Sequence, residues 1–187
     1  MNFGETVRAV AGQFDSASCR WAIIGGVALG LYTTPRTTCD VDLLVDGGFA
    51  TRLPALLCPL GYSVAFAWEE STHLAPTRAE RCPLDILHAH RPHSLGMLAR
   101  ARRIELEPGE LVVPVVEPED LIGLKVQAME NDPERRRGEL VDIRALLESA
   151  ALTGRTFDMA RVREYFALFG EDRELGELME GLEDALR

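Results

Sequence analysis

The feature that most constrains this chain is a pair of aspartates within an apolar segment. Asp40 and Asp42 stand in CDVDLLV, where Val41 and Leu43 alternate with them. Successive side chains of a β-strand point to opposite faces, so the two carboxylates are predicted to project side by side from one face. A carboxylate in apolar surroundings is costly unless a positive group meets it. The segment therefore predicts a strand that carries a cation site.

Magnesium is the cation that this acidic segment favours. Mg²⁺ is usually bound through a few carboxylate oxygens, retained waters and substrate phosphates. A third acid, Asp85, lies in a separate apolar strand, PLDILHA, and is predicted to complete the site. With two ions, one activates an attacking hydroxyl and the other stabilises a departing pyrophosphate. A lone D-x-D is also typical of a solvated strand edge, and that alternative stays open on the motif alone.

Two adjacent glycines, Gly25 and Gly26, separate a short apolar strand, WAII, from a predicted helix that begins in VALGLY. Small residues at a helix N-terminus let phosphate oxygens approach backbone N–H groups and the positive end of the dipole. A purely structural turn is the alternative. The position of the glycines one helix and one loop before the D-x-D favours a phosphate site.

Two ionisable residues near apolar helix faces add further candidates. Lys125 lies in line with Leu121, Ala128 and Met129, so it is expected to meet an anion. Asp142 lies beside the apolar face of the following helix and is a candidate partner for Lys125 or for an arginine. The alternatives are a lysine that extends from the core edge to solvent and a helix-surface acid.

The order of patterns predicts an α/β fold. Strand and helix signals alternate as far as residue 116, and the remainder is helical, beginning with Pro118 and two acids in a first turn. We predict a small mixed sheet with flanking helices in a catalytic core, 1–116, and a helical C-terminal region, 117–187.

Charge and composition limit the partners. Of the 187 residues, 47% are hydrophobic and 27% charged, which is ordinary globular composition rather than that of a disordered chain. The formal net charge of −10 disfavours indiscriminate binding of nucleic acid. A nucleic-acid partner would need a local basic patch, for which the candidates are two arginine clusters, at 100–103 and 135–137.

The cysteines and the apolar runs bear on location. The four cysteines are dispersed with no C-x-x-C pair, which favours a reduced, cytoplasmic setting. No apolar run approaches the length of roughly 18 residues that a membrane span needs. We expect a cytoplasmic protein with no membrane partner.

Two segments resemble a known group of enzymes. GGVALGLYTTPRTTCDVDLLV resembles the glycine turn and D-x-D of the DNA polymerase beta-like nucleotidyltransferase superfamily. LIGLKVQAMENDPERRRGELVDIRALL resembles, more narrowly, the AbiEii-like nucleotidyltransferases, which include bacterial toxins of the MenT type. Together the resemblance spans roughly Trp21 to Leu147.

The resemblance implies roles for the residues that match these motifs. It assigns triphosphate binding to Gly25 and Gly26, Mg²⁺ binding to Asp40 and Asp42, the third acid to Asp85, phosphate binding to Lys125, the fourth-motif acid to Asp142, and the nucleotide pocket to Arg36 and Thr38.

Three functions follow as hypotheses. The first is transfer of a nucleoside monophosphate from an NTP to the 3′ end of tRNA, as a toxin with a cognate antitoxin. The second is nucleotidylation of a small antibiotic, an aminoglycoside or a lincosamide; the resemblance extends to such enzymes, and an acidic cleft suits a cationic aminoglycoside. The third is a catalytically silent nucleotide-binding or antitoxin-type module.

Overall fold

The computed structural model describes residues 2–35, 38–107 and 109–185. Their contacts separate into two compact units. The first unit comprises Met1–Ala28 and Arg36–Glu117, and the second comprises Leu29–Pro35 and Pro118–Arg187. The predicted division into a catalytic core, 1–116, and a helical C-terminal region, 117–187, stays a prediction.

The first unit is built on a mixed sheet of seven strands in the order β3-β4-β5-β2-β1-β7-β6. Strands β2 and β5 are parallel, as are β1 and β7, and the remaining neighbours are antiparallel. The strands are β1 (Trp21–Ile23), β2 (Val41–Asp46), β3 (Tyr62–Ala67), β4 (Ser71–Pro76), β5 (Leu84–Ala89), β6 (Arg102–Glu107) and β7 (Leu111–Val115).

Strand β2 lies in the middle of the sheet because its sequence suits burial on both faces. Leu43, Leu44 and Val45 are each at most 1% exposed, as is typical of a strand covered on both sides. The backbone of β2 pairs with β1 on one side and β5 on the other. The expectation of a small mixed sheet in an α/β fold is confirmed.

Helices cover this sheet. The first, α1 (Phe3–Ser16), begins at Asn2, whose side chain accepts a hydrogen bond from the Glu5 N–H. Its apolar stripe includes Val7, Val10 and Phe14, all buried. The other helices are α2 (Gly25–Tyr32), which passes from the first unit to the second, α3 (Leu53–Leu57) and α4 (Pro92–Arg100), with 3₁₀ turns at Gly47–Arg52 and Cys58–Leu60.

The second unit is helical, as predicted. Pro118 occupies the start of its first helix and acids follow in the first turn, where they complement the helix dipole. The helices are α5 (Pro118–Asn131), α6 (Arg136–Thr153), α7 (Met159–Leu168) and α8 (Asp172–Ala185), with a 3₁₀ turn at Pro133–Arg135. None of the helices described has both the length and the apolar character needed to cross a membrane.

Candidate active site

The three predicted acids come together in the first unit. Asp42 on β2 lies opposite Asp85 on β5 in the parallel register, so both side chains project from the same face. Asp40, Asp42 and Asp85 each offer one carboxylate oxygen, and these oxygens lie within 4.8 Å of one another. All three residues are partly exposed. The sheet therefore presents a compact acidic triad to solvent.

Asp40 reaches the triad from a different backbone position than predicted. Strand β2 begins at Val41, whose N–H donates to the Pro83 carbonyl at 3.0 Å. Asp40 lies in the bend before it, where its own carbonyl accepts a hydrogen bond of 3.2 Å from the Thr38 hydroxyl. The prediction that both aspartates lie within one strand is wrong for Asp40, because pairing with β5 starts one residue later. The side chains nevertheless converge.

The chemistry of the triad fits a divalent cation. Two unit charges 4.8 Å apart repel each other by about 3.5 kcal/mol at an effective dielectric constant of about 20. A hard cation removes this repulsion, and Mg²⁺ is suited to a few carboxylate oxygens with the rest of its shell left to water and phosphate. The partial exposure of the triad leaves room for those other ligands.

The glycine turn lies against Asp42. The Ile24 N–H donates to the Asp42 carbonyl at 3.0 Å, and the Gly26 N–H donates to Asp42 Oδ2 at 3.3 Å. Gly25 has φ of +62°, and a β-carbon added there would lie 1.9 Å from Asp42 Oδ2. Only glycine tolerates both the left-handed backbone and the close approach. The N-terminus of α2 is thereby held beside the acids.

Sequence reasoning missed His73, which binds the third acid. His73 on β4 lies directly opposite Asp85 on β5 in the antiparallel register. Its Nδ1 is 2.7 Å from Asp85 Oδ1, so this contact fixes one oxygen of the carboxylate. Only the register of β4 against β5 reveals which acid the histidine meets.

Lys125 and Asp142 contact each other in the second unit. Lys125 is buried, and its Nζ donates to Asp142 Oδ2 at 2.7 Å and to Glu139 Oε2 at 2.9 Å. The expectation that Lys125 meets an anion is confirmed, with two carboxylates as the anions. Glu139 was not foreseen, although it lies one helical turn before Asp142 on α6. Phosphate binding by Lys125 stays a prediction.

The two remaining predicted residues precede β2. Thr38 is partly exposed and lies next to the triad in sequence, with its hydroxyl bonded to Asp40 as described. Arg36 lies outside the described residues. Their assignment to a nucleotide pocket stays a prediction.

The fold of this chain is similar to those of several proteins of known structure. The chain matches no family model and no curated protein. Among solved structures, it is similar over nearly its whole length to the antibiotic-resistance factor ANT(2'')-Ia, with a TM-score of 0.63, 16% identity, and coverage of 97% of this chain and 99% of that one. The nucleotidyltransferase-like antigenic protein of Paracoccidioides brasiliensis aligns with a TM-score of 0.56, 21% identity and coverage of 93% and 90%. This chain has the nucleotidyltransferase fold.

A third structure agrees with that conclusion. The lincosamide antibiotic adenylyltransferase LnuA, with lincomycin bound, aligns with a TM-score of 0.54 and 14% identity over 78% of this chain and 96% of that one. The fold implied by the resemblance of the glycine turn and the D-x-D is thus confirmed. The acidic triad and the α2 N-terminus lie together on this nucleotidyltransferase fold.

Proposed function

We propose that this protein is a Mg²⁺-dependent nucleotidyltransferase that moves a nucleoside monophosphate from an NTP to an acceptor hydroxyl and releases pyrophosphate. The observation that carries the proposal is the convergence of Asp40, Asp42 and Asp85 within 4.8 Å beside the glycine turn at the start of α2. A fold shared with nucleotidyltransferases supports the same chemistry.

Each part of the site has a role in this reaction. Asp40, Asp42 and Asp85 would hold Mg²⁺, which when bound lowers the pKa of the attacking hydroxyl and neutralises charge on the departing pyrophosphate. Gly25 and Gly26 would bring backbone N–H groups and the positive end of α2 to the triphosphate. His73 would orient Asp85 by holding Oδ1.

The bond changes are those of an in-line substitution. The acceptor oxygen attacks the α-phosphorus of the NTP, the bond from that phosphorus to the bridging oxygen of pyrophosphate breaks, and the hydroxyl proton passes to a carboxylate of the triad. Asp85 is our candidate acceptor of the proton, since His73 keeps its carboxylate oriented. Phosphate binding by Lys125, oriented by Asp142, and nucleotide contacts by Arg36 and Thr38 remain part of the proposal.

We favour a small molecule as the acceptor. Three of the six arginines in the candidate basic patches for nucleic acid are paired with acids within the protein: Arg102 pairs with Glu117, Arg135 with Glu139, and Arg136 with Glu171 and Glu174. These arginines contribute little positive field for a polyanion. ANT(2'')-Ia, which is similar over nearly the whole chain, has been solved with adenylyl-2''-tobramycin, and LnuA with lincomycin.

A second candidate is the AbiEii-like, MenT-type activity, which rests on the resemblance of the segment around Lys125 and Asp142. In that case tRNA would be the acceptor, the protein would act as a toxin in the cytoplasm, and an antitoxin would be its partner. A silent nucleotide-binding or antitoxin-type module is the third candidate. Its weakness is that all three acids converge, which a protein without metal chemistry does not need.

The decisive experiment incubates the protein with Mg²⁺ and each α-³²P-labelled NTP against tobramycin, lincomycin, total tRNA and protein alone. Matched reactions contain EDTA or the Asp42→Ala variant. We expect label on a small molecule from the wild type and none in either control, since both remove the metal site.

The other outcomes separate the candidates. Label on tRNA would replace the small-molecule acceptor by the toxin function and would justify a search for an antitoxin. Equal labelling by Asp42→Ala would contradict the site assignment. Metal-dependent NTP binding without transfer to any acceptor would favour the silent module.

A further inference from the structure

Three aromatic side chains lead away from the acidic triad on the same face of the sheet. The strand registers place Phe66 opposite His73, His73 opposite Asp85, and Asp85 opposite Asp42. The rings are in contact: Phe66 and Trp68 stack at 5.6 Å between centroids and 9° between planes, and Trp68 meets the edge of His73 at 5.8 Å. We call Phe66, Trp68 and His73 the aromatic row.

The outer two rings of the aromatic row are exposed. Phe66 and Trp68 each have 61% of their surface open to solvent, and they lie at or next to β3, the edge strand of the sheet. Aromatic side chains favour burial, so two stacked rings exposed to solvent are unusual. Exposed apolar patches of this kind mark binding surfaces. The row begins one hydrogen bond from Asp85, which places this surface beside the third acid.

The turn that carries Trp68 is held in place rather than loose. The Glu69 carbonyl is 2.9 Å from both His88 Nδ1 and His90 Nε2, so the two histidine rings converge on one acceptor. The Trp68 N–H donates to the Ser71 carbonyl at 2.8 Å. The H-x-H sequence at the end of β5 thus braces the turn. A surface held in advance loses little conformational entropy on binding.

The charge near the aromatic row selects a cation. Glu69 is exposed next to Trp68, and the other end of the row is bonded to Asp85. Aromatic faces with carboxylates beside them attract ammonium groups, through the ring quadrupole and through direct charge. The protein's net charge of −10 acts in the same direction and disfavours a polyanion.

We infer that the aromatic row is the acceptor subsite and that it binds a cationic amino sugar, whose ring lies on Phe66 and Trp68 with a hydroxyl directed to Asp85. This inference rests on the proposed function, because it names the acceptor for the same site. It assigns acceptor specificity to Phe66 and Trp68 of the β3–β4 hairpin, two residues that have no role in the proposed phosphate chemistry.

The test is calorimetric titration of tobramycin, an amino sugar, into the wild type, Phe66→Ala, Trp68→Ala and the double variant. We expect the wild type to bind, each single variant to bind more weakly, and the double variant to lose about tenfold or more in affinity. NTP affinity should be unchanged in all of them. Val112→Ala is the matched control, since Val112 is an exposed apolar residue (44%) on β7, away from the hairpin.

A neutral trisaccharide, maltotriose, provides the test of charge, and we expect it to bind at least tenfold more weakly than tobramycin. The inference is overturned if the wild type does not bind tobramycin, if the double variant binds it as the wild type does, or if maltotriose binds equally well. Failure of the proposed function is a separate result. If only the proposed function is wrong, tobramycin binds through the aromatic row but no acceptor becomes labelled. If only the subsite is wrong, nucleotide transfer occurs and is unaffected by substitution of Phe66 and Trp68.

Discussion

Among single residues, Asp42 contributes most to the site, because it belongs to the triad and also receives the Gly26 N–H. Replacement by Asn removes the charge and keeps the size and a hydrogen-bond acceptor. We expect Asp42→Asn to be as stable as the wild type or more stable by about 1 kcal/mol without metal, since repulsion between partly exposed acids falls. Millimolar Mg²⁺ should raise the Tm of the wild type and not that of the variant.

The matched control is Asp46→Asn on the same strand. Burial raises the pKa of Asp46, but hydrogen bonds from the Gly48 N–H and from Arg20 outweigh this effect and the pKa is lowered overall. Loss of the ion pair between Asp46 and Arg20 should lower the free energy of unfolding at neutral pH. The rise in Tm caused by Mg²⁺ should be unchanged. A Mg²⁺-dependent rise in Tm that persists in Asp42→Asn would contradict the metal assignment.

At the level of helices, the ion cluster of Lys125 with Glu139 and Asp142 joins α5 to α6. The side chains are 8%, 8% and 14% exposed, so removal of the lysine takes a buried cation from two largely buried carboxylates, of which Glu139 keeps its pair with Arg135. We expect Lys125→Ala to lower the free energy of unfolding by about 3 kcal/mol or more. Denaturant unfolding measures this loss.

A surface pair serves as the control for Lys125. Arg144→Ala breaks an exposed pair with Glu148 on α6 and should cost at most about 0.5 kcal/mol. NTP affinity, measured below the onset of unfolding, decides the separate role in nucleotide binding. If Lys125→Ala binds NTP as the wild type does, the residue is structural and its assignment to phosphate is wrong.

A second ion cluster joins α6 to α8 and depends on pH. Arg136 at the start of α6 bonds Glu171, which precedes α8, and Glu174 in its first turn. The hydrogen bond from Arg136 lowers the pKa of Glu171 below its usual 4.5, against the opposing effect of burial. Because the folded-state pKa is the lower one, this stabilisation is complete above about pH 4.5 and is lost as the pH falls through the folded-state value.

Glu171→Gln should therefore be less stable than the wild type by about 1 kcal/mol at neutral pH, after allowance for the partly exposed Arg136. The difference should shrink toward zero as the pH falls below 4.5 and through the lowered folded-state pKa of Glu171. Urea unfolding across this pH range tests the sign. A difference that is constant or grows on acidification would show that Glu171 does not act through its charge.

The elements themselves follow from local patterns, and the contacts between them do not. The stripe of α1 and the apolar run of β2 predict a helix and a central strand because periodicity is a local property. That Asp85 pairs with His73, or that Glu139 joins Lys125, depends on register and packing between segments distant in sequence. The inclusion of Leu29–Pro35 with the helical unit is likewise a matter of contacts, since nothing in α2 marks Leu29 as a boundary.

The net charge of the whole molecule attracts or repels a charged acceptor before the acceptor reaches the site. Thirty acidic against twenty basic residues give −10, and several arginines are already paired with acids. Such a field raises the local concentration of cations and lowers that of polyanions. Screening shortens its range from about 8 Å at 0.15 M salt to about 3 Å at 1 M. Salt therefore separates the contribution of the overall field from that of the contacts at the aromatic row.

We expect the Kd of tobramycin to rise several-fold between low salt and 0.5 M KCl, because only the long-range attraction is screened. The ratio of Kd values between the wild type and the Phe66→Ala/Trp68→Ala variant should stay nearly constant over the same range, since ring contacts depend little on ionic strength. Calorimetry at four salt concentrations measures both quantities. An affinity independent of salt would mean that the net charge plays no part in selecting the acceptor. A ratio that collapses toward one would mean that the variants altered the field rather than a contact surface.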